Sequence, residues 1–304
     1  MAQIETPENG APEGAERQTT PFLVLQFFVF PMAIVAVCVT VFVVFGLVAS
    51  EGKSARDYLA EVRSGGQNRR WQAAFELSKV LQGGKDPALK DPRFVSAAVA
   101  LFEESRKDDP RVRRYLALAL GRLGDRAAVP ALRAALGDDA AESETIIYSA
   151  WSLGVLSDAA AVPDLVRLAS HEDRGIRKSA VHALGAFAAP EAAVALRAAL
   201  DDAADDVRWN AALALGRRGD AAAVPLLLQM LDRSALKKTA GASGEGALGV
   251  SDEQAEEVLL QAVAAAAASG ESALRPPLEA LRDHDPSLKV RDAAARALAT
   301  PPTP

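Results

Sequence analysis

A self-similar segment recurs along the chain, and it restricts the possible folds more than any other feature of the sequence. Residues 112–136 read VRRYLALALGRLGDRAAVPALRAAL, 176–200 read IRKSAVHALGAFAAPEAAVALRAAL, and 207–231 read VRWNAALALGRRGDAAAVPLLLQML. A fourth copy, IIYSAWSLGVLSDAAAVPDLVRLA, occupies 146–169. Aligned on Gly121, Gly154, Gly185 and Gly216, the copies advance by 33, 31 and 31 residues, the length of one helical hairpin. Each copy has an apolar run of 3.6-residue period, a glycine, a short polar turn and a second apolar run. Pro130, Pro163 and Pro225 stand nine residues after their glycines, where a proline opens a helix without losing a hydrogen bond. In the third copy Val194 holds that place and Pro190 falls in the turn. The glycine, near the end of the first helix, suits either a C-cap or a close approach of two helices. Neither helix can bury its apolar stripe alone, whereas stacked copies bury one continuous core. The pattern predicts an all-α solenoid.

The flanks extend the array. NRRWQAAFELSKVL (68–81) and RFVSAAVALFEES (93–105) form a degenerate opening pair. Ala268 with Pro277 and Leu278 supplies a late unit, and Val290 with Arg291 opens a last first-helix that places Ala299 at the glycine position. Between them lies a Gly/Ser-rich insertion at 234–251, read as a flexible loop, after which Ser251 and Gln254 form a capping box. The solenoid is expected over 68–299, with about six units.

The run "DxxVRxxAxxALG", as in DPRVRRYLALALG and DDVRWNAALALG, resembles HEAT repeats, in particular the phycobilisome-lyase HEAT-like form. The resemblance covers roughly 68–299. It implies a curved superhelix whose second helices line a concave binding surface, in a family of scaffolds and a few bilin lyases. The pattern is specific for fold and poor for function.

Ahead of the array, residues 18–50 carry no charge and 22–48 read FLVLQFFVFPMAIVAVCVTVFVVFGLV, longer than the roughly 20 residues needed to cross a bilayer. Thr20 and Pro21 mark a helix start, and Pro31 predicts a kink. The acidic leader and the long apolar run disagree with a cleaved signal peptide. The sequence therefore predicts an acidic disordered tail at 1–20, a transmembrane helix at 21–49, a juxtamembrane helix and Gly-Gly hinge at 50–67, and a disordered tail at 300–304. Lys53, Arg56, Arg63, Arg69 and Arg70 follow the span and only Arg17 precedes it. The positive-inside rule then places a single-pass protein in a bacterial inner membrane, N-terminus out and solenoid in the cytoplasm.

Composition narrows the chemistry. Aromatic residues are only 5% of a chain that is 50% hydrophobic, which favours closely packed helices over a β-sandwich. The net charge of -6 disfavours nucleic acid. Cys38 is the only cysteine, and His171, His182 and His284 lack metal-ligand spacing. Gly241, Gly244, Gly246 and Gly249 lack the Gly-Lys-Ser/Thr ending of a phosphate loop, and no nucleophile elbow or His-Glu-x-x-His motif exists. No cofactor, metal or catalytic residue is expected. Arg113, Arg177, Arg208 and Arg291 follow Asp109, Asp173, Asp205 and Asp285 at one repeat position, a pattern of helix capping and ion pairing. Trp71 and Trp209 share a repeat position, as do Arg133 and Arg197 in second helices; these four are the candidate partner-binding residues. The leading expectation is a membrane-anchored, non-enzymatic adaptor whose solenoid binds a protein, such as a subunit of an integral membrane transporter. The alternative is a HEAT-like lyase acting on a chromophore or a modified protein.

Overall fold

A computed structural model describes residues 29–49, 53–84, 86–239 and 251–299. The expected tails at 1–20 and 300–304, and Thr20 with Pro21, lie outside them. The chain divides into two units, 1–53 and 54–304. In the described residues every regular element is helical and no strand occurs.

The first unit contains α1 (Phe30–Ala49). Pro31 is the second residue of the described helix, and the residues of the span before Val29 lie outside the described residues. The side chains described on it, through Val44, are exposed, Phe42 most of all at 81%. Among the described residues no helix is long and apolar enough to cross a membrane. The expected transmembrane helix over 21–49 is corrected accordingly: 21–28 lie outside the described residues, and the described helix is Phe30–Ala49. The inner-membrane placement, the N-terminus-out orientation and the membrane-adaptor role with a transporter-like partner lose their basis with it.

The second unit opens with α2 (Ala55–Ser64), started by a capping box between Ser54 and Asp57. Ala55, Leu59 and Val62 are buried, so the helix expected to stand between membrane and solenoid is part of the solenoid core. Hairpins then follow in order: α3 (Gln67–Gln82) with α4 (Pro92–Glu104), α5 (Pro110–Leu123) with α6 (Val129–Leu136), α7 (Ser143–Leu156) with α8 (Val162–Leu168), α9 (Arg174–Leu184) with α10 (Pro190–Ala198), and α11 (Asp205–Gly216) with α12 (Val224–Met230). After α13 (Arg233–Thr239) come α14 (Asp252–Ser269) with α15 (Arg275–His284), and the closing α16 (Leu288–Ala299). The first part of the expected insertion is thus helical, and 240–250 lie outside the described residues. Ser251 and Gln254 do form the capping box of α14.

Three second helices begin alike. Asp125, Asp158 and Asp220 each accept from a backbone N–H two residues on, closing a 3-10 turn, and the Val-Pro step continues it into α6, α8 and α12. In the third clear copy Pro190 opens α10 directly, because no acidic cap precedes Val194 to hold a turn there.

The structure decides the role of the repeat glycine. First helices pack side by side in one layer, and a Cβ added at Gly121 would lie 2.8 Å from Ser152 Cα, one at Gly154 2.9 Å from Ala183 Cα. Gly185 faces Ala214 and Gly216 faces Ala265 in the same way. The glycine is there for close approach, while Gly124, Ser157 and Gly270 are left-handed C-caps, at φ 70°, 50° and 68°. Ser152 Oγ donates to Ala117 O and Ser179 Oγ to Ile147 O, both at 2.8 Å, tying adjacent first helices across the seam. Between the two layers, Leu116, Leu120, Leu132, Leu153, Leu165, Leu184 and Leu196 are fully buried in one continuous core.

Candidate functional site

The outward face of the first-helix layer carries a concentration of large side chains in an alanine-rich chain. Counted back from the aligned glycine, the outward positions bear Trp71 and Phe75 on α3, Tyr115 on α5, Tyr148 and Trp151 on α7, His182 on α9 and Trp209 on α11. The Phe75 and Tyr115 rings meet edge to face at 5.1 Å, and Tyr115 and Tyr148 at 6.4 Å. The Arg111 guanidinium stacks 4.7 Å over Trp71, and Arg114 lies 5.0 Å from the Tyr115 ring.

Where α9, α11 and α14 run together, this face opens into a cleft of about 460 Å³, the size of a small-molecule site. Trp209, Leu213, Met230 and Val258 form its apolar wall. Lys178, His182, Asp206, Asn210, Gln254, Glu257 and Gln261 supply its polar groups. Helical spacing builds the set: Lys178 and His182 are one turn apart on α9, and Asp206, Trp209 with Asn210, and Leu213 descend one stripe of α11. The extra helix α13 and the segment after it separate α12 from α14 in sequence, so this first-helix pair is not joined by the ordinary repeat connection.

Polar contacts fix most of these groups. Asp206 accepts from Arg174 Nε at 2.9 Å and lies 3.2 Å from Lys178 Nζ. Burial pushes its carboxyl up, but the hydrogen bonds and charges of Arg174 and Lys178 outweigh that and leave it below the usual carboxylate range. Asn210 Nδ2 donates to Asp206 O at 2.7 Å, and Gln261 Nε2 to Glu257 Oε1 at 3.1 Å. Desolvation lowers the pKa of His182 from 6.5, and the positive charges of Arg217 and Lys178 lower it further against a hydrogen bond with Asn210. The imidazole is therefore neutral at neutral pH, beside an indole and two carboxamides. Such a group can accept a proton.

Of the four candidate residues, the structure brings only Trp209 into the cleft. Trp71 lies half-buried on α3, with α5, α7 and α9 between it and α11. Arg133 binds Asp164 at 2.7 Å and Arg197 binds Asp220 at 2.7 Å, each joining consecutive second-helix segments. The arginine series splits. Arg113 and Arg177 hold Asp138 and Asp202, at 2.8 Å in both cases, in the turns after α6 and α10. Arg208 pairs with Asp205, and Arg291 donates to Arg282 O. Asp109 and Asp173 cap α5 and α9, whereas Asp205 is already inside α11 and Asp285 binds Arg233. Sequence reasoning missed His182 and Lys178 because it tested the histidines only as metal ligands. The available signal was His182 at the repeat position that carries Phe75 and Trp151. Among the described residues no group of three or more His, Cys, Asp or Glu side chains could hold a metal ion.

No curated protein matches the sequence. The fold is similar to the complex of CpcE and CpcF of phycocyanin lyase from Nostoc sp. PCC7120, at 22% identity over 82% of this chain and 89% of that one, with a TM-score of 0.55. A weaker likeness is to YibA of E. coli, at 14% identity over 80% and 91%, TM-score 0.47. Family models match HEAT repeats at 139–208 and the PBS lyase HEAT-like repeat at 112–138 and 207–233. The expectation of a chain without enzymatic activity is corrected by these lyase-type matches. The all-α solenoid expected from the sequence is present, with HEAT repeats matched at 139–208 and PBS lyase HEAT-like repeats at 112–138 and 207–233.

Proposed function

We propose that this chain is a lyase-type HEAT-repeat protein that acts on a chromophore or other group carried by a protein, with the cleft between α9, α11 and α14 as its site. One observation carries the reading: the PBS lyase HEAT-like match at 207–233 covers α11 and α12, the helices that supply Trp209, Asn210, Leu213 and Met230 to the cleft. A protein partner fits this reading, since the similar lyase is a complex of two proteins. Trp71, exposed in part on the same layer, is the contact we assign to that partner, while Arg133 and Arg197 serve it by holding their repeats together.

The chemistry asked of the site is elimination or addition at a thioether. In elimination the neutral His182 imidazole takes the proton from the carbon next to the one bearing sulfur. The C–H pair becomes the C=C bond, and sulfur leaves with the C–S pair as a thiolate. Addition is the reverse, with the imidazolium returning the proton. Trp209 and Leu213 hold the apolar body of the group beside the His182 ring.

The test is incubation of the purified chain with chromophore-bearing phycocyanin, and with the free chromophore plus a thiol-bearing acceptor protein. Absorbance and mass spectrometry then follow attachment and release. The reading expects a change in covalent attachment that His182→Gln reduces by about 10²-fold or more. Absence of attachment, release and binding with both substrates would overturn it.

A further inference from the structure

In the second-helix layer, ion pairs bridge the seams on either side of α8 and α10, and the seam between those two helices has none. Arg133, three residues after Pro130, binds Asp164 at 2.7 Å across the α6–α8 seam. Arg197, three residues after Val194, binds Asp220 at 2.7 Å toward the segment that opens α12. At the α8–α10 seam the places of Arg133 and Asp164 are taken by Val166, three residues after Pro163, and Ala195, one residue after Val194. Neither side chain can form a bridge. The seam opens into a groove of about 610 Å³.

The irregular third copy shapes one wall. α6, α8 and α12 begin eight residues past their repeat glycines, whereas α10 begins at Pro190, five past Gly185. The added turn carries Glu191. Along α10, Glu191, Val194, Ala195 and Ala198 line the groove at i, i+3, i+4 and i+7, one stripe of the helix. Val194 is 64% exposed, and Val166 supplies the apolar surface of α8. The two ends of the groove differ in charge. At one, Arg177 is held by Asp202 and gives its Nη1 to the carbonyls of His171 and Glu172. At the other, the Glu191 carboxylate has no ion-pair or hydrogen-bond partner among the described residues. With Arg177 and Asp202 cancelling, the lining keeps the single negative charge of Glu191.

We propose that the α8–α10 groove docks a basic amphipathic helix of a partner protein, its apolar side chains against Val166 and Val194 and a Lys or Arg on Glu191. The stripe from Glu191 to Ala198 is about 10 Å long, two helical turns. Side chains spaced at i, i+3, i+4 and i+7 leave gaps that the ridges of another helix fill. The charge decides the sign of the partner: a free carboxylate at the end of an apolar groove favours a cation, and the ion pair at the opposite end favours neither sign. The groove belongs to the second-helix layer, so this docking goes beyond the lyase reading and does not depend on it.

The probe is a fluorescein-labelled, end-capped helical peptide of about 18 residues, built on alanine and glutamine, with leucines one and two turns beyond a single lysine. A second peptide has glutamine in place of the lysine. Fluorescence anisotropy with the full chain should saturate for both, with a Kd about threefold lower for the lysine peptide, the size of one exposed ion pair. Glu191→Gln should make the two peptides equal while binding of the glutamine peptide stays as it was. Val166→Arg combined with Ala195→Asp installs at this seam the pair that Arg133 and Asp164 form at the previous one. It should weaken both peptides about tenfold or more, with the circular dichroism spectrum and Tm of the chain kept. The absence of saturable binding, equal affinity for the two peptides in the unaltered chain, or binding that survives the installed pair would each overturn the proposal. Sedimentation without peptide covers the remaining occupant: self-association that the installed pair abolishes would overturn the partner helix in favour of a second copy of this chain.

Discussion

Replacing Asp138 by Asn is the sharpest test of how the repeats are held together. Its carboxylate lies in the turn between α6 and α7, only 5% exposed, and accepts from Arg106 Nε at 2.9 Å, Arg106 Nη2 at 2.7 Å and Arg113 Nη1 at 2.8 Å. It also accepts from the Ala140 N–H at 3.1 Å, an interaction that Asn can keep. The two arginines are unequal. Arg106 is 61% exposed and regains water when the charge is lost, so its share is small. Arg113 is 9% exposed, packs over the Phe102 ring and already has a buried Nε without a partner. Asp138→Asn leaves that guanidinium buried without a counter-charge, a change that costs about 3 kcal/mol. For a unit of this size that is a fall in Tm of about 6–12 °C. Urea denaturation followed by far-ultraviolet circular dichroism measures it, with Arg106→Gln as the mild control. Adding Arg113→Met to Asp138→Asn should recover most of the loss, because removing both charges also removes the desolvation penalty. A loss below about 1 kcal/mol, or a double variant as weak as the single one, would refute the reasoning.

The same residue sets an acid limit. The Arg106 and Arg113 hydrogen bonds lower the Asp138 pKa from 3.8 to about 2, so its contribution is complete above its unfolded value and is lost as pH falls through about 2; Tm measured down the acid range should fall less steeply in Asp138→Asn. Gly154→Val should destabilise by about 2 kcal/mol or more through overlap with Ala183 Cα, whereas Gly66→Ala, which has open space and an ordinary φ of -66°, should stay within about 0.5 kcal/mol in the same titration. Leu132→Ala, at a site with 0% exposure, should cost about 2–5 kcal/mol, read from the shift in urea midpoint.

The 31-residue period, the Val-Pro helix starts and the leucine stripes were legible because each is a local rule: a proline fits only the first turn, and an apolar stripe at 3.6-residue spacing must be covered. The Ser251 capping box was legible for the same reason. The membrane span was read from hydropathy alone, and that reading did not survive the comparison with the described helix. The site was less legible. Trp209 was found because it is large and repeated, but Trp71 shares its repeat position and lies away from the cleft. His182 was passed over because no neighbour in sequence marks it, and its neighbours in space, Asn210, Trp209 and Gln261, come from other repeats.

Sequence by itself determined that the chain stacks helical hairpins: periodicity and caps act within about one or two turns and need no knowledge of the partner helix. Tertiary structure decided what the sequence left open. The repeat glycine became a crossing point rather than a cap because Ser152 and Ala183 arrive against it from the next repeat. Arg113 and Arg177 received carboxylates 25 residues away, while Arg291, at the same repeat position, received the carbonyl of Arg282. A charge is indifferent to sequence distance, and only the packing of one repeat on the next settles which arginine meets a carboxylate of its own chain.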